Sequence, residues 1–314
     1  MKPSSGSRKS GHERISQQQG HVNKRNVETL TTKASPHSPL PEPEALFSNN
    51  HFLVIHKPPG FHSQPNESLD AITSKKCLLS TLKGKGLGGG SNKDFLLPMH
   101  RLDQPCSGVL LLCKNSKAGT RVGNAFRKHL VQKDYFCVVT GDLETMIRNS
   151  VSIGNKGRPR MFKLTGVLQQ SKPTPGGKGG KSVKFKPLPR TSDIDANGKG
   201  RICTLEWELL VEGTNNGLHL VRVRTDTGAK HQVRAMMAQL AKSPLCGDLR
   251  YGARSPLPDK SVALHARSLY LPTVSLGNMD FLREYDQRFI APIPKTWKKY
   301  FKLTEEGLQK RGIK

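Results

Sequence analysis

The chain has 314 residues, 34% of them hydrophobic, and sets 51 Lys and Arg against 24 Asp and Glu for a formal net charge of +27. That excess argues against an enzyme of small neutral substrates and for a polyanionic partner, nucleic acid ahead of an anionic membrane surface. No apolar run approaches the ~18 residues of a membrane-spanning helix, and the length holds one large domain plus tails. The six cysteines show no C-x-x-C and no regular spacing. Cys113, Cys137 and Cys203 lie in apolar, strand-like stretches, where cysteine behaves as a small hydrophobe. This reads as a reducing compartment without structural zinc.

Residues 1–44 are rich in Ser, Gln, Lys and Pro and read as a disordered basic tail. A mitochondrial presequence shares the basic, Ser-rich character, but large apolar residues are sparse for an amphipathic helix. Mitochondrion and cytoplasm or nucleus therefore both stand. Folded structure is expected from near Leu46, with a catalytic-size domain over 45–302 and a basic tail over 303–314. Phe52 to Ile55 reads as a strand ended by the turn His56-Lys-Pro-Pro-Gly60. A flexible loop, KGLGGGSNK, then leads to PMHRLDQPCSGVLLLCKNSK, Pro98 to Lys117.

In that stretch a polar loop runs straight into five apolar residues, Val109 to Cys113, the pattern of a strand buried on both faces. His100, Arg101 and Asp103 precede it, followed by Pro105 and the pair Ser107-Gly108, a tight non-helical approach. An aspartate at the lip of a buried strand is positioned, although an ordinary Asp-Arg surface turn has the same letters. Ser116 is a fair N-cap for a helix whose Ala118, Val122, Ala125, Phe126 and Leu130 share a face. Lys133 to Gly141 reads as a strand carrying Tyr135. Over about 165–201 the composition turns to Gly, Pro, Lys and Ser, with eight Lys and Arg against two Asp, and reads as a mobile basic insertion. Alternation from Cys203 to Val211 predicts a half-buried strand, Asn215-Asn-Gly217 a hairpin turn, and Leu218 to Thr225 the return strand. A helix follows, with Val233, Met236, Met237, Leu240 and Ala241 on one face and Arg234 off that stripe.

The block HRLDQPCSG before an apolar strand resembles the catalytic loop of the RluA-type pseudouridine synthases, H-R-L-D-x-x-[TS]-S-G. A kinase-like H-R-D would need a downstream Asn and D-F-G, and neither follows. Further matches occur in the same order. HKPPG resembles N-K-P-x-G, with His56 for Asn, and KDYFCVVTG resembles K-x-Y-x-x-x-V-x-G. TGAKHQVR resembles T-G-R-x-H-Q-[IL]-R with Ala229 for the first arginine. PLCGDLRYG, LHA at Leu264 and APIP at Ala291 complete the set.

The resemblance implies an α+β fold, a mixed and mostly antiparallel central sheet flanked by helices with the cleft across it. It implies an isomerase that breaks the bond from uracil N1 to ribose C1′ and rejoins the base through C5, with no cofactor and no metal. Asp103 is then the catalytic carboxylate, Arg234 the cation that holds it ionised, and Tyr135 the ring against uracil and a candidate proton carrier. The base must leave its stack, and Arg101 fills the vacated space. His100 is grouped with the RNA-contacting residues, with loop structure as its plainer role, and Lys133, Lys230 and His231 complete that group. The expected partner is RNA (rRNA or tRNA, including ribosomal subunit precursors), bound by a monomer and without a membrane. A catalytically idle RNA-binding or ribosome-assembly factor on the same fold is the alternative, motivated by the basic excess and Ala229.

Overall fold

The computed structural model describes residues 40–65, 77–89, 95–153, 161–170, 183–187, 201–213, 217–225, 227–272 and 287–313. Among them, twelve strands form one sheet. They are β1 (Glu44–Ser48), β2 (Phe52–Lys57), β3 (Leu97–Pro98), β4 (Ser107–Cys113), β5 (Gln132–Thr140), β6 (Val151–Ser152), β7 (Met161–Gln170), β8 (Val183–Pro187), β9 (Arg201–Val211), β10 (Leu218–Thr225), β11 (Leu264–Leu271) and β12 (Gln287–Ile290). The main order is β1-β2-β4-β11-β5-β10-β9-β7-β6, with β3, β12 and β8 pairing on β4, β11 and β7. Only the β4–β11 pairing is parallel, and the fold is α+β. Helices α1 (Leu78–Gly84), α2 (Ser116–Arg127), α3 (Leu143–Arg148), α4 (Gln232–Gln239), α5 (Lys295–Phe301) and α6 (Glu305–Lys310) complete it.

The strand β4 is buried along all seven residues, because its two faces feed two separate cores. Val109, Leu111 and Cys113 pack with Phe52, Val54 and the apolar face of α2. Leu110 and Leu112 pack with Leu53, Ile55 and the α1 residues Leu78 and Leu82. A continuous apolar run is what a strand covered on both sides requires. Its entry depends on Gly108, whose φ is +121°. A Cβ there would lie 2.3 Å from the Ala266 carbonyl oxygen, so only glycine lets β4 meet β11 at this point.

Several sequence expectations are corrected. The N-cap of α2 is Asn115, whose side chain accepts the Ala118 N–H at 2.9 Å, while Ser116 is already helical. The helix stops at Arg127, His129 turns left-handed at φ 56°, and Leu130, expected on the buried face, is 40% exposed. Leu40 packs beside the α1 core and β1 begins at Glu44, so ordered chain starts before Leu46. Residues 1–39 and the turn residues Asn215 and Asn216 lie outside the described residues.

The 165–201 stretch is not wholly an insertion either. Met161–Leu168 pairs with β9, and β8 returns on β7. Val183 and Phe185 point inward and are buried, with Lys184 outward. This period of two is only five residues long, and the surrounding Gly, Pro and Lys conceal it. Gln239 of α4 ties β8 down through Val183 O (3.3 Å) and the Phe185 N–H. Residues 303–313 likewise fold. Thr304 caps α6 by accepting the Gly307 N–H at 3.1 Å, and Leu308 and Ile313 are buried.

Candidate active site

The site is built on the loop between β3 and β4, and a buried lysine holds that loop. Lys57, at the end of β2, is fully buried and donates to the carbonyls of Pro58 (3.1 Å), Asp103 (3.4 Å), Gln104 (3.3 Å) and Cys106 (2.7 Å). Burial lowers its pKa to about 8, against the opposing influence of Cys106 and Asp103. Ser63 Oγ bonds both the N–H and the carbonyl of Leu102, and the Cys106 N–H closes a turn onto Asp103 O. The backbone on both sides of Asp103 is therefore fixed.

The carboxylate is fixed as well. Arg234 Nη1 donates to Asp103 Oδ2 at 2.9 Å. The rest of the same guanidinium is held by Asp248, Nε to Oδ2 at 2.7 Å and Nη2 to Oδ1 at 2.8 Å. The fork-to-fork geometry sets the direction of the one donor left for Asp103. Arg234 also lies 5.3 Å from the Tyr251 ring centre, a cation–π contact. Burial alone would favour a neutral Arg234, but the bonds to Asp248 outweigh it and raise the pKa. The side chain is a permanent cation.

His231, at the N-cap of α4 with φ 57°, places Nε2 3.7 Å from Asp103 Oδ2 and Nδ1 3.0 Å from the Tyr251 hydroxyl. Burial lowers its pKa to about 4 despite the pull of Asp103, so the imidazole is neutral near pH 7. Gln232 steadies the preceding loop. Its Oε1 accepts from Thr227 Oγ1 (2.6 Å) and the Ala229 N–H (3.2 Å), and its Nε2 donates to Thr204 O.

Asp103 lies where two spaces meet. One is an open cleft of about 830 Å³ lined by Arg101, Lys230, His231, Arg234, Arg250 and Lys260 among others, with Asp259 on the same wall. The other is a recess of about 70 Å³ that adds Tyr135, Cys106, Ala229, Leu264 and Ala266. Burial, then the neighbouring Cys106 and Asp103, push the Tyr135 phenol well up, so it stays protonated where it lines the recess. Burial likewise pushes the Cys106 thiol up. The arrangement offers one oriented carboxylate beside a small recess of mixed polar and apolar lining, under a rim of cations.

Of the residues singled out from sequence, Asp103, Tyr135, Arg234, Arg101, Lys230 and His231 converge here. Two do not. His100 turns away, accepting the Leu111 N–H on Nε2 at 3.1 Å and stacking on Phe126 of α2. Burial lowers its pKa to about 3, so its work is structural. Lys133 is buried, and its Nζ lies 3.5 Å from Thr227 O, behind the loop and outside both lined spaces. Sequence reasoning gave no role to Lys57, Asp248 or Tyr251. Each stood inside a quoted motif, and the usable signal was a charged residue embedded among apolar neighbours, which demands a partner.

The structure is similar to human RNA pseudouridylate synthase domain containing 4 (TM-score 0.57, 18% identity, 81% of this chain and 90% of that one). It is also similar to human RNA pseudouridylate synthase domain containing 1 (TM-score 0.56, 17% identity, 88% and 96%). A family model described as RNA pseudouridylate synthase matches residues 51–239, and the chain belongs to that family. It is 29% identical over 233 residues to ribosomal large subunit pseudouridine synthase C of Rickettsia typhi, covering 74% of this chain and 64% of that protein. It is 26% identical over 272 residues to ribosomal large subunit pseudouridine synthase D of Zymomonas mobilis, covering 79% and 74%. The chain thus spans just under two thirds of the length of the Rickettsia relative.

Proposed function

We propose that this chain isomerises uridine to pseudouridine in structured RNA, ribosomal or transfer, with Asp103 as the catalytic carboxylate. The observation that carries the reading is the Asp103 carboxylate, aimed by an Arg234 that Asp248 holds bidentately, at the mouth of a small recess that Tyr135 lines. The flipped uridine enters the recess against Tyr135, and Arg101 takes the place it leaves in the stack. Asp103 acts at ribose C1′ or the sugar beside it while the N1–C1′ bond breaks. The base turns and C5 bonds to C1′. The C5 proton is then lost and N1 ends protonated, so atoms balance without a redox partner. Arg234 is a positioning residue that directs the Asp103 carboxylate. Lys230, Arg250 and Lys260 on the cleft wall meet phosphates, which makes binding strongly salt-dependent.

The other reading is an RNA-binding factor without catalysis, and the specific point in its favour is Ala229 at a position where the resembling motif carries arginine. Carbodiimide mapping of pseudouridine in cells with and without the gene separates the two. Loss of one or more modified positions supports the enzyme and names its RNA. An unchanged map favours the idle factor.

A further inference from the structure

The α5 surface carries a feature that the catalytic cleft does not use. Lys295, Lys298, Lys299 and Lys302 surround a hollow of about 490 Å³ together with Thr304. All four are exposed. Lys295, Lys298 and Lys299 share one face of α5 by their i, i+3, i+4 spacing, and Lys302, the left-handed C-cap at φ 58°, completes the stripe around the hollow. The opposite face is the anchor. Trp297 is buried and sits edge-on against His265, whose Nδ1 lies 2.9 Å from Ser107 Oγ at the foot of the catalytic loop.

Such a stripe is not what a free helix prefers. Like charges at i, i+4 repel, here Lys295 with Lys299 and Lys298 with Lys302. Lys298 and Lys299 suit the C-terminal turn, but Lys295 stands in the first turn, where the helix dipole disfavours a cation. The adjacent α6 has two acids in its first turn: Glu305 is turned inward to Arg267 (2.6 and 2.8 Å) and the Ile293 N–H, and Glu306 is exposed but does not line the hollow. Among the described residues lining the hollow there is no carboxylate. A solvated helix face would mix signs.

The stripe is also joined to the cleft. Tyr300, next to Lys299, is in hydrogen-bond contact with the backbone of Asp259, and Asp259 and Lys260 line the catalytic cleft. We propose that the α5 lysine stripe is a second RNA-docking surface, which receives the phosphate backbone of the substrate RNA beyond the modified nucleotide. RNA is the occupant favoured over a membrane because the stripe continues a cleft whose own rim is cationic. The inference rests on the pseudouridine synthase reading of that cleft.

The test uses the full chain and a 5′-fluorescein RNA stem-loop of about 30 nucleotides, with Kd measured by anisotropy across a KCl series. The variant K295Q/K298Q/K299Q/K302Q is compared with a control of equal charge loss, K83Q/K117Q/K128Q/K184Q, drawn from exposed lysines elsewhere. Each lost phosphate contact lowers the log–log salt slope by about 0.7–0.9, so the stripe variant is expected to lose about 3 from the slope and the control little. Equal slopes for the two variants would overturn the proposal. So would an unchanged RNA slope with loss of binding to phosphatidylserine–phosphatidylcholine vesicles, which would make the stripe a lipid contact. A wild type that binds the stem-loop through the stripe but forms no pseudouridine in any cellular RNA would sink the enzyme reading and leave the stripe standing. Thermal unfolding of each variant guards against misfolding, and the single variants Lys295→Gln and Lys302→Gln give the graded version of the same readout.

Discussion

The Asp103–Arg234–Asp248 cluster makes a stability prediction that separates the catalytic carboxylate from the structural one. Asp248 is 1% exposed in its side chain and takes two of the three Arg234 bonds, whereas Asp103 is 19% exposed and takes one. In Asp248→Asn the shape is kept but a buried guanidinium loses its principal counter-charge, a class of change that costs about 3–5 kcal/mol. For a domain of this size that is a fall in Tm of roughly 10 °C. In Asp103→Asn the guanidinium keeps both bonds to Asp248, so stability should stay within about 1 kcal/mol of wild type. The double variant leaves Arg234 with no carboxylate and should lose about 1–3 kcal/mol more than the sum of the singles. Urea titrations of the four proteins measure the cycle. If Asp103→Asn costs as much as Asp248→Asn, or the double is additive, Asp248 is not the residue that holds Arg234 charged in place.

Other expectations follow from the same geometry. His100 and His265 are both held neutral, each lowered to about 3 by burial. Their folded pKa values lie below the unfolded ~6.5, so the unfolded chain takes up protons first, and stability should be lost as pH falls from about 6.5 towards 3. Urea titrations across that window should show a smaller loss in His100→Gln than in wild type. For Lys57, lowered to about 8, the same sign rule makes stability rise with pH between about 8 and 10.5, and the difference between wild type and Lys57→Met should grow with pH there. An unchanged difference would mean that Lys57 is not desolvated. Leu308→Ala should cost about 2–5 kcal/mol, whereas a solvated tail would lose nothing on thermal unfolding. Deleting Gln169 to Asn197 removes the buried Val183 and Phe185 and should lower Tm, in contrast to the trimming of a passive loop.

The parts of the molecule legible in the sequence were those with long, regular signals. The run Val109 to Cys113 is continuous because β4 is covered on both faces, and the alternation from Cys203 to Val211 is the half-covered pleat of β9. Arg234 was readable as a site residue from the block TGAKHQVR, and it lies off the apolar stripe of α4. What stayed hidden was short or non-local. The strand β8 is only five residues long, so its period is lost among Gly, Pro and Lys. The fold of residues 303–313 depends on Leu308 and Ile313 finding a core built by β5, β10 and Trp297, which no local pattern announces. His100 looked like part of the site because it adjoins Arg101, but successive residues of a loop can face opposite ways, and its ring went to Leu111 and Phe126. Asp248 and Lys57 acquire meaning only from partners 14 and 46 residues away.

The central claim is that the Asp103 carboxylate performs the isomerisation. Its most direct test is tritium release from cellular RNA labelled at uridine C5, using purified wild type and Asp103→Asn of matched fold and RNA affinity. The account predicts release by wild type and none above background by the variant, while both bind RNA with the same salt dependence. Wild-type release from Asp103→Asn would contradict it.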